Sequence, residues 1–200
     1  MRRVVPAAVA AAIAAACSSA SGPSGVPPRS TLHFVAQDTA YKLLSSQGSF
    51  YAKVGENRRL RLVYQGSTPS DSGPEFLRFE VPGDGLLRRP DGTAFAPGDS
   101  ILITVTVLDP KLFLFGFEPA GLRFNPLDPA RLKVEYRYAD HDFDGDGKVD
   151  STDAEIETIL GLWRRDPPDT LWFNTGAVKF EELEEFDANI FAFTHYAVAW

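Results

Sequence analysis

Cysteine is nearly missing from this chain. Cys17 is the only one among 200 residues, so no intrachain disulfide can form. Histidine is also scarce. His33, His141 and His195 are the three, and no two are spaced i, i+4 as a helical zinc pair requires. Neither a Gly-x-Ser-x-Gly elbow nor a phosphate-binding glycine loop occurs. Basic clusters are limited to "RRLR" at 58–61, in a chain of net charge −7. A nucleic-acid binder needs a basic face, so no nucleic-acid partner is expected. Arg59 and Arg61 alternate with Leu60 and Leu62, which reads as the wet side of a strand. No internal repeat of 20–50 residues is present, which excludes a solenoid or propeller.

What is present begins with Arg2 and Arg3, followed by "VVPAAVAAAIAAAC" at 4–17. A charged start, an apolar run and small residues make a signal peptide over 1–16. The run is too short to cross a bilayer as a mature helix. A sole Cys17 directly after Ala14-Ala15-Ala16 resembles a bacterial lipobox, although Ala14 stands where that pattern usually has Leu. The resemblance implies lipid on Cys17 and a mature protein anchored to the membrane without spanning it. It implies an extracytoplasmic place in the bacterial cell envelope, on the outer membrane in a Gram-negative cell. Cleavage that discards Cys17 with the signal is the alternative. Residues 17–30 hold "SSASGPSGVPPRS" after the cysteine, the composition of a disordered tether.

From residue 31 onward the apolar pattern has period two. "FLRFEV" at 76–81 puts Leu77, Phe79 and Val81 on one side. "RLKVEYRY" at 131–138 turns Leu132, Val134, Tyr136 and Tyr138 inward against Arg131, Lys133, Glu135 and Arg137. "ILITVTVL" at 101–108 is apolar on both sides and reads as a central strand. Turn signals such as "RPDGTAFAPGD" and "NPLDP" separate these runs. The expected fold of 31–200 is therefore mostly β, an antiparallel β-sandwich with one short helix. That helix is expected over 153–163, with Ile156, Ile159, Leu160 and Trp163 on one face. Trp163 and Trp172 are expected in the core. "EELEEFD" at 181–187 reads either as a helical turn or as an exposed strand. An outer-membrane β-barrel of eight strands is a competing architecture, since the alternation continues to Trp200.

The helix follows "DFDGDGKVDSTD", residues 142–153. Residues 140–157 carry eight carboxylates against one lysine, a cluster that repels itself without a counter-ion. With Asp142 as position one, Asp144 and Asp146 take three and five. Gly147 at six permits the sharp turn. Lys148 at seven offers its backbone carbonyl, Asp150 at nine acts through water, and Asp153 at twelve closes the cage. Val149 at eight is expected to plug the core beneath the loop. These residues in this register predict a calcium site. The form D-x-D-x-D-G-x-V-D-x-x-D resembles the EF-hand-type loops of dockerins, which also end in Asp. A dockerin has two such repeats and this chain has one, so a cohesin partner is not expected. A strand feeds the loop where a sensor would have a helix, which implies a structural ion.

"FEPAGLRFNPLDPARLKVEYRYAD" at 117–140 resembles the strand–turn–strand of ZU-five β-sandwiches in bacterial surface proteins. The matching residues are Pro119, Gly121, Leu122 and Phe124, then Pro129, Leu132, Val134 and Tyr136. The final strand, Ala192 to Val198, is similar to the "H-F-S-x-Y-A-V" ending of that superfamily, and the likeness covers roughly 75–200. Some members cut themselves at the His-Phe-Ser step. Here Ala192 and Thr194 stand at the His and Ser positions, so the base is missing and no cleavage is expected. Glu181, Glu182, Glu184 and Glu185 read as a solvated run, since a glycosidase pair needs a cleft. The function expected is a non-catalytic, calcium-binding lipoprotein domain for adhesion or surface interaction. Its partners would be the membrane, through Cys17, and a protein or glycan of unknown identity. The alternative is a secreted or cell-envelope hydrolase on a calcium-stabilised sandwich.

Overall fold

Period-two alternation builds two facing antiparallel sheets in the computed structural model, which describes residues 25–66 and 71–200. The expected signal peptide, Cys17 and the expected tether as far as residue 24 lie outside the described residues. The first sheet has six strands. In order they are β1 (Gln47–Lys53), β5 (Ser100–Asp109), β6 (Leu114–Glu118), β13 (His195–Ala199), β9 (Gly161–Arg165) and β10 (Phe173–Asn174). The second has five, in the order β11 (Val178–Phe180), β12 (Glu185–Ile190), β8 (Ala130–Glu135), β3 (Ser72–Val81) and β2 (Arg58–Gln65). A small ribbon pairs β4 (Leu86–Arg88) with β7 (Arg123–Phe124). Neither sheet closes on itself, so the fold is a sandwich and not a barrel.

The core lies between the sheets. Leu77, Phe79 and Val81 of β3 and Leu132 and Val134 of β8 are buried, as the alternation requires. They meet Ile103 and Val105 of β5, Phe115 and Phe117 of β6, and Tyr196 and Val198 of β13. Phe79 and Phe117 bridge the sheets with ring centroids 5.1 Å apart. Each such buried side chain contributes about 1.5–3 kcal/mol. On the outer face of the second sheet, Lys133 ties Glu135 at 3.0 Å and Glu185 at 2.6 Å.

Strand β5 is internal, but only one of its sides is covered. Leu102 is 46% exposed and Leu108 is also in solvent. The β-branched run suits a pleated surface on either side, so composition alone could not show which side was wet. Residues 181–187 combine the two: a 3-10 turn, Glu181–Leu183, precedes β12, which is an inner strand with Phe186 buried and not an exposed one. Glu184 links them in the left-handed region, at φ 51°.

The helix differs from expectation at both ends. It spans Ser151–Ile159, with Leu160 as an extended cap. Gly161 then opens β9, so Trp163 lies on a strand rather than a helix face. Ile159 is exposed, and Asp153 is the one buried helical residue. Trp163 and Trp172 are buried as expected, but in a second small cluster with Ala197 and Ala199.

Leu32 and Phe34 pack onto that second cluster. They belong to a strap, residues 29–38, that begins inside the segment expected to be disordered. Arg29 exchanges backbone hydrogen bonds with Trp172 at 2.9 and 2.8 Å. Its guanidinium lies over the Trp163 ring, 5.2 Å from the centroid. Farther along, His33 and Trp200 exchange backbone bonds at 3.2 and 3.1 Å. Arg29, inside the expected tether, is therefore held by two tryptophans.

Candidate metal centre

The arm that enters the loop is fixed before the loop begins. The strap bonds it twice: Asp38 N–H donates to the Tyr138 carbonyl at 3.1 Å, and Asp140 N–H to that of Ala36 at 2.9 Å. Tyr136, fully buried, donates its hydroxyl to Glu157 Oε1 on the helix at 3.1 Å. Lys179 Nζ donates to the Glu157 carbonyl. These bonds join β8, the helix and β11 around the loop.

Inside the loop, short Asp side chains turn the backbone by accepting amides two residues ahead. Asp144 Oδ1 accepts the Asp146 N–H at 3.0 Å, and Asp146 Oδ1 accepts that of Lys148 at 2.9 Å. Asp142 Oδ2 reaches farther and accepts the Gly147 N–H at 2.7 Å. Gly147 has φ +88°, a conformation that the absence of Cβ permits. The turn expected at position six is thus in place.

One carboxylate oxygen each from Asp142, Asp144 and Asp146 lies within 4.8 Å of the others. Asp142 is half-buried, and its Oδ1 is buried without a hydrogen-bond partner among the described residues. The crowding registers on Asp144. The Asp146 amide pulls its pKa down, but desolvation and the charges of Asp146, Asp153 and Asp142 outweigh that and leave it raised. Converging carboxylate oxygens, one of them buried and unpaired, form a donor set that fits a hard cation. The three residues can therefore hold a metal ion.

The other residues of the motif lie elsewhere. Asp150 is the helix N-cap, with Oδ1 accepting the Thr152 N–H at 2.8 Å. Lys148 and Asp150 are exposed. Asp153 is only 2% exposed and stands apart from the cluster of three. Its Oδ1 accepts the amides of Phe143 at 2.6 Å and Asp144 at 3.2 Å, and its Oδ2 accepts that of Asp150 at 2.9 Å. It clasps both ends of the loop. These bonds, that from Asp150 foremost and against the cost of desolvation, hold its carboxyl below the usual range. The pair Asp150 and Asp153 forms a capping box. The spacing D-x-x-D before a helix signals this in the sequence, yet the metal reading of position twelve concealed it.

Val149 does not plug the core; it is 70% exposed. Phe143, at position two, does so instead. It is 7% exposed and packs edge-on against Trp200 at 6.2 Å. Trp200 in turn stacks on His33 at 5.3 Å. The residue one place after Asp142 points away from the carboxylates and into the sandwich, so loop and core share one anchor.

The remaining candidates are scattered. Thr194, the residue in the nucleophile position of the cleavage motif, donates its hydroxyl to the Arg165 carbonyl. Glu181 and Glu182 are exposed, while Glu185 is paired with Lys133. No protein-family model, no curated protein and no solved structure matches this chain.

Proposed function

We propose that this chain is a non-catalytic β-sandwich clamped by calcium and displayed outside the cytoplasm on a lipid at Cys17, serving adhesion or another surface interaction. The observation that carries the reading is the convergence of Asp142, Asp144 and Asp146 around the buried, unpaired Asp142 Oδ1. All the donors are hard oxygens, which suits calcium and its variable coordination better than the smaller, octahedral magnesium. The Lys148 carbonyl and Asp150 complete the donor set named by the motif. Asp153 acts one layer out, holding the loop in the shape that gathers the others. The Cys17 anchor rests on the lipobox resemblance.

Extracellular modules hold calcium at roughly 10⁻⁴–10⁻³ M. A ~10-fold excess of calcium over the dissociation constant adds about 1.4 kcal/mol of stability. For a domain of this size that raises the melting temperature by about 3–6 °C. Calorimetric titration and thermal melting of residues 25–200 test the ion. Calcium should give saturable heat and this shift, magnesium a much smaller one, and Asp144→Ala neither. Silence at millimolar calcium ends the reading. Labelling of the full chain with an alkyne fatty acid, lost in Cys17→Ser, tests the anchor separately.

A further inference from the structure

The two sheets of the sandwich have four edges, and three of them are guarded. β10 is two residues long, and the strap bonds Trp172 beside it. β11 has three residues. β2 carries Arg58, Arg59 and Arg61, and its register against β3 shifts twice. The chain ahead of β1 also covers it: Leu44 N–H donates to the Val63 carbonyl at 2.9 Å, and Gln65 N–H to that of Lys42 at 2.8 Å. Short strands, charges, bulges and covering segments keep a sheet edge from pairing with another chain.

β1 has none of these. It runs for seven residues in unbroken register with β5, without proline and without charge before Lys53. β5 behind it is uncharged from Ile101 to Leu108. Val107 N–H donates to the Ser46 carbonyl at 2.8 Å and Val54 N–H to that of Asp99 at 2.9 Å, which fixes the phase of the ladder. Only alternate residues of an antiparallel strand bond a given neighbour. Gly48, Phe50 and Ala52 therefore bond β5, while Gln47, Ser49, Tyr51 and Lys53 turn their amides and carbonyls outward. The outer two are engaged. The Ser45 hydroxyl meets the Gln47 N–H at 3.2 Å and its carbonyl at 2.7 Å. The Lys53 carbonyl accepts the Glu56 N–H at 3.1 Å. Ser49 and Tyr51 remain, one on each side of Phe50, with no backbone partner for these outward groups among the described residues.

From this edge we infer that β1 pairs antiparallel with β1 of a second copy, about a two-fold axis at Phe50. Ser49 and Tyr51 exchange both backbone bonds with Tyr51 and Ser49 of the other copy. The symmetry of the open window about Phe50 is what selects a second copy: one register satisfies every open group of both chains. It also opposes no like charges, since Lys53 falls opposite Gln47. On the core side the half-buried Phe50 meets its counterpart, and Gly48 opposes Ala52. On the outer side Tyr51, 64% exposed, lies diagonally to its counterpart, with exposed Leu102 behind each. Aromatic side chains reach one another across such a diagonal, about 7–8 Å. The inference uses no residue of the calcium or lipid readings, and either of those can fail without it.

Sedimentation of residues 25–200 from about 1 µM to about 1 mM tests the pairing, with amide hydrogen exchange at both ends of that range. Pairing along one strand buries less than a standard interface, so a dimer with a dissociation constant of about 100 µM is expected, with EDTA or calcium alike. The Ser49 and Tyr51 amides should exchange about fivefold more slowly at the high concentration, while the Phe50 amide, bonded to β5 throughout, should not change. Ser49→Pro deletes an outward N–H and leaves the β5 ladder intact. It should weaken the dimer about tenfold or more. Tyr51→Lys sets like charges diagonally across the axis and should weaken it about tenfold, with the melting of dilute protein unchanged. A monomer at ~1 mM overturns the inference and leaves the edge to a strand of another protein. A dimer that leaves the Ser49 and Tyr51 amides unslowed, or that forms equally well in Tyr51→Lys, overturns it too.

Discussion

Asp153 Oδ1 accepts the backbone amide of Phe143, ten residues upstream, at 2.6 Å. One carboxylate thus joins the first turn of the helix to the start of the acidic loop. It also joins charge to packing, because Phe143 is the side chain that enters the core. The clasp gives the shorter Asp at position twelve a task close at hand, since its carboxylate reaches three amides.

Asp153→Asn keeps the size of the side chain and one acceptor oxygen. Its amide nitrogen cannot accept from Phe143, Asp144 or Asp150, so at least one of those N–H groups is left unmet. The variant should melt below the wild type even when metal-free. Amide hydrogen exchange should quicken at Phe143, Asp144 and Asp150 before it quickens elsewhere. Unchanged protection at those three amides in the metal-free variant would show that the clasp does not hold the loop.

Asp144→Asn should do the opposite without metal. Against the pull of the Asp146 amide, desolvation and then the charges of Asp146, Asp153 and Asp142 raise the Asp144 carboxyl. Removing the charge relieves that repulsion while the side-chain oxygen still accepts the Asp146 amide. The metal-free variant should melt at or slightly above the wild type, and lose most of the calcium-induced rise. A variant destabilised without metal to the same degree as Asp153→Asn would refute this division of labour.

Much of the fold was legible in the sequence because a half-buried strand advertises its two faces. Leu77, Phe79 and Val81 could hardly be placed otherwise. The loop was legible too, since alternate carboxylates with a glycine at the sixth place have few other uses. The helix end was not. Ile156, Ile159, Leu160 and Trp163 keep helical spacing, yet Leu160 leaves the helix and Trp163 is buried on β9. The outer face of β9 is apolar because the strap covers it, and no local pattern around Trp163 announces a cover more than 100 residues away. The ordering of Arg29 is hidden in the sequence for the same reason. Its neighbours are Ser and Pro, but the residues that hold it are Trp163 and Trp172.

The two apolar residues of the loop separate by mutation. Phe143→Ala removes a buried ring from the core and from Trp200, at a cost of about 3 kcal/mol. For a domain of this length the melting temperature should fall by about 6–12 °C. Val149→Ala, on an exposed side chain, should change it by less than ~2 °C. Thermal melts of both variants with saturating calcium decide the matter, and comparable losses would return the anchor to Val149.

Acid should act on the metal-free loop in two stages of opposite sign. Asp144 has a folded pKa above its ordinary value of 3.8, so its charge disfavours the fold near neutrality, and falling pH relieves that penalty as the carboxyl takes up a proton. Asp153 has a folded pKa below 3.8. Its contribution is complete above the unfolded pKa and disappears only as pH falls through the lower folded value. The difference in melting temperature between wild type and Asp144→Asn should therefore narrow as pH falls toward the ordinary carboxyl value of 3.8 and close below it. The difference between wild type and Asp153→Asn should survive to about pH 4 and collapse below it. Bound calcium lowers the pKa of a carboxylate that holds it, so the first stage should shift to lower pH when calcium is present, while the second moves little. Melting curves of metal-free and calcium-loaded protein from pH 7 to 3 give both differences directly. Two differences that close together in the metal-free protein would mean that Asp144 and Asp153 share one role, and the separation of clasp from cluster would fail.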